Sequence, residues 1–66
     1  MNFSDFVLIV EAFGFLLTRS EGSHFIYKNS MINEWINLQV KNGDAKPYQI
    51  KQFFSLVEKY SLEMED

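Results

Sequence analysis

The sequence contains no cysteine, one histidine and one proline, and these shortages limit the chemistry that the chain can perform. Without cysteine there are no disulfide bonds and no thiolate metal sites, a composition that fits a reducing compartment. A single histidine, with acidic residues that lack metal-ligand spacing, predicts that no metal site is present. The sequence also lacks a glycine-rich phosphate loop, and we expect no cofactor.

Long apolar runs are absent as well. No segment approaches the roughly 20 apolar residues that cross a bilayer, and the N-terminus lacks the basic and small-residue features of a signal peptide. We therefore expect a cytoplasmic protein with no membrane contact. Its 66 residues, 47% of them hydrophobic, are too apolar for disorder and predict one small domain spanning residues 1–66.

Basic residues are outnumbered, and the formal net charge of −3 argues against nucleic-acid binding. The excess lies entirely in the last nine residues, which hold four carboxylates and one lysine, so residues 1–57 are neutral overall. A neutral body can still carry a local basic patch. We expect an acidic C-terminal tail at about residues 61–66.

The pattern of apolar residues predicts a helix at each end of the chain. The first helix covers residues 4–13, with Asn2 or Ser4 as N-cap and Gly14 just after its end. Its apolar surface extends nearly all the way round, which suggests a protein partner or self-association. The second helix begins near Pro47 and has five apolar or aromatic residues at helical spacing, namely Ile50, Phe53, Phe54, Val57 and Tyr60.

Three strands are predicted between the helices. Residues 15–20 and 23–29 flank a tight turn at Glu21-Gly22, and residues 34–40 alternate between apolar and polar side chains. Residues 41–46 have the composition of a loop. The order α-β-β-β-α predicts an α+β domain of the double-stranded-RNA-binding type, in which both helices cover one face of a three-stranded antiparallel sheet.

The predicted hairpin brings Arg19 and His24 near each other. A guanidinium binds phosphate, and an imidazole can donate or accept a proton at physiological pH. These are two of the groups needed to cleave RNA through its own 2′-hydroxyl. One histidine fills one proton-transfer role, so the other would fall to Tyr27, a lysine or water.

Strand alternation leaves the position of His24 open. If Phe25 and Tyr27 face the helices, His24 and Lys28 lie on the uncovered face of the sheet. If Ile26 faces inward instead, His24 is buried and inert. A lone histidine among aromatic residues is also compatible with a purely structural role.

Three stretches resemble the HicA toxins, also called the YcfA-like family: Gly14-Phe15 with Arg19, Gly22-Ser23-His24 with Tyr27, and Gly43 with Ala45-Lys46-Pro47-Tyr48-Gln49-Ile50-Lys51-Gln52-Phe53. The resemblance implies a toxin of a type II toxin-antitoxin system that cleaves messenger RNA without a metal. It also implies that His24 is the catalytic residue and that a HicB-like antitoxin neutralises the protein. The sequence departs from the family at Glu21, where many members carry a basic residue.

Further residues are candidates for contacts to the RNA. Gly22 and Ser23 belong to the motif around His24, and Arg19 and Lys28 lie on the predicted hairpin. Lys46 and Lys51 lie near the start of the second helix, where backbone N–H groups also favour phosphate. The alternative is a non-catalytic module of the same fold that binds RNA or a protein.

Overall fold

The computed structural model describes residues 1–65 and contains two helices and a four-stranded antiparallel sheet. Helix α1 spans Phe3–Ala12 and helix α2 spans Pro47–Lys59. The strands are β1 (Leu16–Glu21), β2 (His24–Asn29), β3 (Glu34–Lys41) and β4 (Asp44–Ala45), and they are neighbours in chain order. The predicted α+β class is confirmed, and the sheet has one short strand more than predicted. Among residues 1–65, no helix is long and apolar enough to cross a membrane.

The residues predicted to flank α1 do so, and the helix begins and ends one residue earlier than predicted. The side chain of Asn2 accepts a hydrogen bond from the Ser4 N–H at 2.8 Å and caps the first turn. Gly14 follows the last turn with a φ of +94°, a conformation that glycine adopts at little cost. Phe6 and Val10 on this helix are completely buried, while Leu8 remains exposed.

Two tight turns set the strand register, the first one residue later than predicted and the second inside the predicted loop at residues 41–46. Glu21 pairs with His24, so the first turn consists of Gly22 and Ser23 rather than Glu21 and Gly22. The second consists of Asn42 and Gly43, both with positive φ, which is the type I′ pattern. The predicted loop at residues 41–46 is therefore wrong in part, because it contains this hairpin turn and β4.

The core lies between one face of the sheet and the two helices. Phe53 of α2 is its centre, and the rings of Phe6, Phe13 and Phe15 pack against it at centroid separations of 5.5–5.7 Å. The sheet contributes four further buried hydrophobic side chains, namely Tyr27, Ile36, Leu38 and Ala45. Both helices therefore cover the same face, as predicted.

A β-bulge at Thr18 allows Phe15 and Arg19 to point in opposite directions. Leu17 pairs with Tyr27 and Arg19 with Ile26, so Thr18 is the extra residue. Simple alternation would place residues 15 and 19 on the same face. With the extra residue, Phe15 is completely buried while Arg19 stays exposed beside β2. The Thr18 hydroxyl donates a hydrogen bond to the Ile26 carbonyl at 2.9 Å across this bulge.

The chain after α2 returns to the C-terminal end of α1. The Glu65 N–H donates a hydrogen bond to the Ala12 carbonyl at 2.7 Å, and Leu62 is half-buried against the core. Leu62 and Glu65 of the predicted acidic tail thus contact the domain, and Asp66 lies outside the described residues.

Candidate active site

The structure settles which face of β2 carries His24. Tyr27 and Asn29 are buried beneath the helices, and Phe25 packs against the core on the same side. His24 lies on the other face and is exposed. The first of the two arrangements that the sequence left open is therefore the one observed.

The face of the sheet that the helices do not cover, called the open face below, carries three rows of side chains. Cross-strand partners share a face, so the register of β1, β2 and β3 identifies its members. The rows are Glu21–His24–Gln39, Arg19–Ile26–Asn37 and Leu16–Lys28–Trp35. His24 is thus the central residue of one end row.

Arg19, Glu21 and His24 line one shallow depression together with Ile26 and Asn37, called the Arg19 depression below. Its volume is about 320 Å³. Glu21 lies directly opposite His24. Arg19 lies diagonally across from His24, a position that corresponds to a Cα–Cα distance of about 7–8 Å. Arg19 Nη2 lies 3.5 Å from Glu21 Oε1, and both side chains are well exposed, at 66% and 75%. An imidazole, a carboxylate and a guanidinium therefore line the same depression.

His24 and Asn37 also line a second depression on their other side, called the Tyr48 depression below. Its volume is about 250 Å³. The remaining lining residues come from β3 and the first turns of α2, and they are Gln39, Tyr48, Gln49 and Gln52. This depression is formed by carboxamides and one aromatic ring, and His24 is its one ionisable member besides the Tyr48 phenol.

Gln49 fastens α2 to the edge of β3 behind the Tyr48 depression. Its side-chain oxygen accepts a hydrogen bond from the Gln39 N–H at 2.8 Å, and its amide donates to the Asn37 carbonyl at 2.8 Å. These are the backbone groups that β4, paired to Val40 and Lys41, does not reach. The Gln49 side chain therefore binds the backbone groups of β3 that lie beyond the end of the short strand β4. These bonds hold the start of α2 beside His24.

The predicted RNA contacts are not all close to His24. Lys46 donates a hydrogen bond to Gln39 Oε1 at 2.7 Å, next to the Tyr48 depression. Lys28 lies on the open face against the Trp35 ring, four residues or about 13 Å along the strand from His24. Lys51 is exposed on α2 and lines neither depression.

Gly22 and Ser23 form the turn next to His24. Gly22 has a φ of +56°, which the turn requires, and the Ser23 carbonyl accepts a hydrogen bond from the Val40 N–H at 3.1 Å. Neither residue lines the depressions, so their observed contribution is to fix the hairpin that presents His24.

Tyr27, considered above as a possible second proton-transfer group, lies on the helix-covered face, whereas His24 lies on the other. Burial, with a smaller contribution from the Glu11 carboxylate, raises the pKa of Tyr27 and keeps its phenol protonated. The sequence reading missed Glu21 as the group opposite His24, a position that follows from a turn at Gly22 and Ser23. It also missed the residues of α2, which no local sequence signal places beside the hairpin.

Within residues 1–65, no three histidine, cysteine, aspartate or glutamate side chains form a group that could hold a metal ion. Comparison with known proteins finds no matching family model, no similar curated protein and no similar solved structure.

Proposed function

We propose that this chain is an endoribonuclease that cleaves messenger RNA through the 2′-hydroxyl, with His24 as the catalytic residue. The observation that carries the proposal is the meeting of His24, Glu21 and Arg19 in one exposed depression. Such a reaction needs a base, an acid and a cation near one phosphodiester. These three side chains provide one of each.

The roles follow from the chemistry of the groups. The Glu21 carboxylate takes the proton of the 2′-hydroxyl as the bond from O2′ to phosphorus forms. The His24 imidazolium donates its proton to the 5′-oxygen as the bond from phosphorus to O5′ breaks. Arg19 offsets the charge that develops on the phosphorane. The products are a 2′,3′-cyclic phosphate and a 5′-hydroxyl end, and solvent returns His24 and Glu21 to their starting protonation states.

The ion pair between Arg19 and Glu21 does not prevent phosphate binding. Both side chains are more than half exposed, and exposed pairs of this kind contribute about 0–1 kcal/mol. A phosphate can therefore displace the carboxylate from the guanidinium, since Arg binds phosphate through two parallel hydrogen bonds. The displacement would also release Glu21 to act as a base.

The biological role rests on the resemblance of Gly22-Ser23-His24 and its flanking stretches to the HicA toxins. We propose a cytoplasmic toxin whose expression arrests growth and whose activity a HicB-like antitoxin blocks. The exposed Leu8 on α1 supports an apolar contact with a protein partner. A HicB-like reading frame beside the gene would be the simplest support for this role.

The decisive experiment incubates the purified protein with single-stranded RNA in EDTA. We expect fragments with cyclic phosphate ends from the wild type and none from His24→Ala. The thermal stability of His24→Ala should stay unchanged, because the side chain is exposed. Binding of RNA without cleavage by the wild type would instead identify the non-catalytic module.

The role of Glu21 makes a prediction with a definite sign. Glu21→Gln should reduce the cleavage rate by about 100-fold or more if the carboxylate is the base. It should raise the rate if Glu21 only repels the phosphate. Glu58→Gln, the same change at an exposed position of α2, is the matched control and should leave the rate unchanged.

The pH dependence tests the pairing of acid and base. A carboxylate that must be ionised and an imidazole that must be protonated give a rate that rises and then falls with pH. A rate that stays constant between about pH 5 and 8 would contradict the assignment of His24.

A further inference from the structure

We propose that the Tyr48 depression is a binding subsite for one unstacked nucleobase of single-stranded RNA. The inference rests on the proposed function, since it places the base beside the phosphodiester that His24 and Arg19 would act on. It assigns the substrate contact to Tyr48, Asn37 and Gln52, none of which the motif around His24 includes.

The lining of the depression has the chemistry that recognises a base. Proteins that read single-stranded RNA stack its bases on aromatic side chains and hydrogen-bond their edges. The Tyr48 ring is 61% exposed, and carboxamides can donate and accept hydrogen bonds at the same time. Within residues 1–65, the side chains of Asn37 and Gln52 form no hydrogen bond, so both are free to contact a ligand.

The charge distribution separates this subsite from the phosphate site. One cation and one carboxylate line the Arg19 depression, whereas no Lys, Arg, Asp or Glu lines the Tyr48 depression, and the Lys46 ammonium beside it is hydrogen-bonded to Gln39 Oε1. His24 and Asn37 form the wall that the two share. A nucleotide lying across this wall would place its charged phosphate on the Arg19 side and its neutral base on the Tyr48 side.

The size of the depression limits what it can hold. Its volume of about 250 Å³ is below the roughly 300–1,000 Å³ of pockets for drug-sized ligands, and one flat ring system suits such a space. The walls are also held in place before binding. Gln49 fastens the first turns of α2 to β3, and Lys46 holds the Gln39 side chain at 2.7 Å.

The test uses a dinucleotide with 2′-O-methyl groups, which cannot be cleaved through the blocked oxygen. It is titrated into the protein and followed through the backbone amide signals in NMR spectra. We expect the signals of Gln39, Tyr48 and Gln52 to shift. Tyr48→Ala should weaken binding by about 5- to 150-fold, the range for loss of one stacked base, whereas Tyr48→Phe should keep most of the affinity.

Trp35→Ala is the matched control, because Trp35 is a comparably exposed aromatic residue on the open face that lines neither depression. Its affinity for the dinucleotide should equal that of the wild type. Wild-type affinity in Tyr48→Ala, or an equal loss in Trp35→Ala, would overturn the inference.

The same variants separate this inference from the proposed function. With a cleavable RNA, Tyr48→Ala should raise KM and leave kcat nearly unchanged. Cleavage that depends on His24 but is unaffected in Tyr48→Ala would overturn the subsite alone. Binding that depends on Tyr48, in a protein that does not cleave RNA, would overturn the enzyme and leave the subsite in place.

Discussion

The two faces of the sheet are built from the same strands but differ in what covers them. On the helix side, β2 and β3 contribute buried side chains to a core in which Phe6, Phe15 and Phe53 are completely enclosed. On the open face, the same strands present His24, Asn37 and Trp35 to solvent. The difference teaches that the stability and the proposed activity of this small domain depend on separate sets of residues.

This separation has a structural origin in strand alternation. Neighbouring residues of β2 point in opposite directions, so Tyr27 is buried while Ile26 and Lys28 lie on the open face. Both helices lie on one side of the sheet, and within residues 1–65 no other helix or strand covers the opposite side. The open face therefore carries polar and charged residues at most positions, and a substrate can reach them.

The largest effect on the free energy of unfolding is expected for a substitution in the core on the covered face. Phe53→Ala removes the ring at the centre of the core and should lower the free energy of unfolding by about 3–5 kcal/mol. A domain of this length has a total of roughly 3–10 kcal/mol, so much of the protein should be unfolded. Trp35→Ala on the open face should cost less than about 1 kcal/mol, since it loses an exposed ring and one contact with Lys28.

Urea denaturation followed by far-ultraviolet circular dichroism measures both variants. A loss in Trp35→Ala that equals the loss in Phe53→Ala would show that the open face is part of the stabilising core. Stability and the proposed activity would then not depend on separate sets of residues.

A smaller effect on the free energy of unfolding is expected at the edge of β3, where the Gln49 side chain joins α2 to the sheet. Gln49→Met keeps the size of the side chain but leaves the Gln39 N–H and the Asn37 carbonyl without their partner. Loss of these bonds in a buried position should lower the free energy of unfolding by about 1–3 kcal/mol. Gln52→Met, at an exposed position one turn along, should change it by less than about 0.5 kcal/mol. Equal urea midpoints for the two variants would contradict the role of Gln49 as a strand substitute.

Local patterns predicted the elements of the fold well, because caps and periodicity depend on neighbouring residues. Asn2, Gly14 and Pro47 occupy the helix-end positions expected of them. The missed strand β4 had a local signal as well, since Asn42-Gly43 is the strongest short hairpin signal. Strand β4 has only two paired residues and ends just before α2. The polar and glycine-containing composition of residues 41–46 therefore predicted a loop.

The candidate site was predicted less completely, because it depends on register and on packing. A turn at Glu21-Gly22 would place Arg19 directly opposite His24, whereas the observed turn places Glu21 there and Arg19 on the diagonal. A shift of one residue in the turn moves the partner of His24 by two residues, and this decides which charged side chain lies opposite the imidazole. Tyr48 and Gln49 reach the open face only through the packing of α2 against β3, which no pattern within either segment specifies.

The smallest expected effect concerns the hydrogen bond between Tyr60, after the end of α2, and Glu34 of β3. The Tyr60 hydroxyl donates a hydrogen bond to Glu34 at the start of β3, and this bond raises the pKa of the phenol above its usual value of 10.0. A pKa raised in the folded state means that the bond stabilises the fold fully below about pH 10. This contribution is lost as the pH rises through the folded-state pKa.

Tyr60→Phe should therefore lower the urea midpoint slightly at neutral pH, and its difference from the wild type should shrink above about pH 10. Glu34→Gln keeps a neutral acceptor but removes the carboxylate, so in an absorbance titration Tyr60 should ionise at lower pH than in the wild type. Both the hydrogen bond and the charge of Glu34 raise the pKa, and burial adds to them. A difference in urea midpoint that grows above pH 10 would have the wrong sign, and the bond would then not be the cause of the raised pKa.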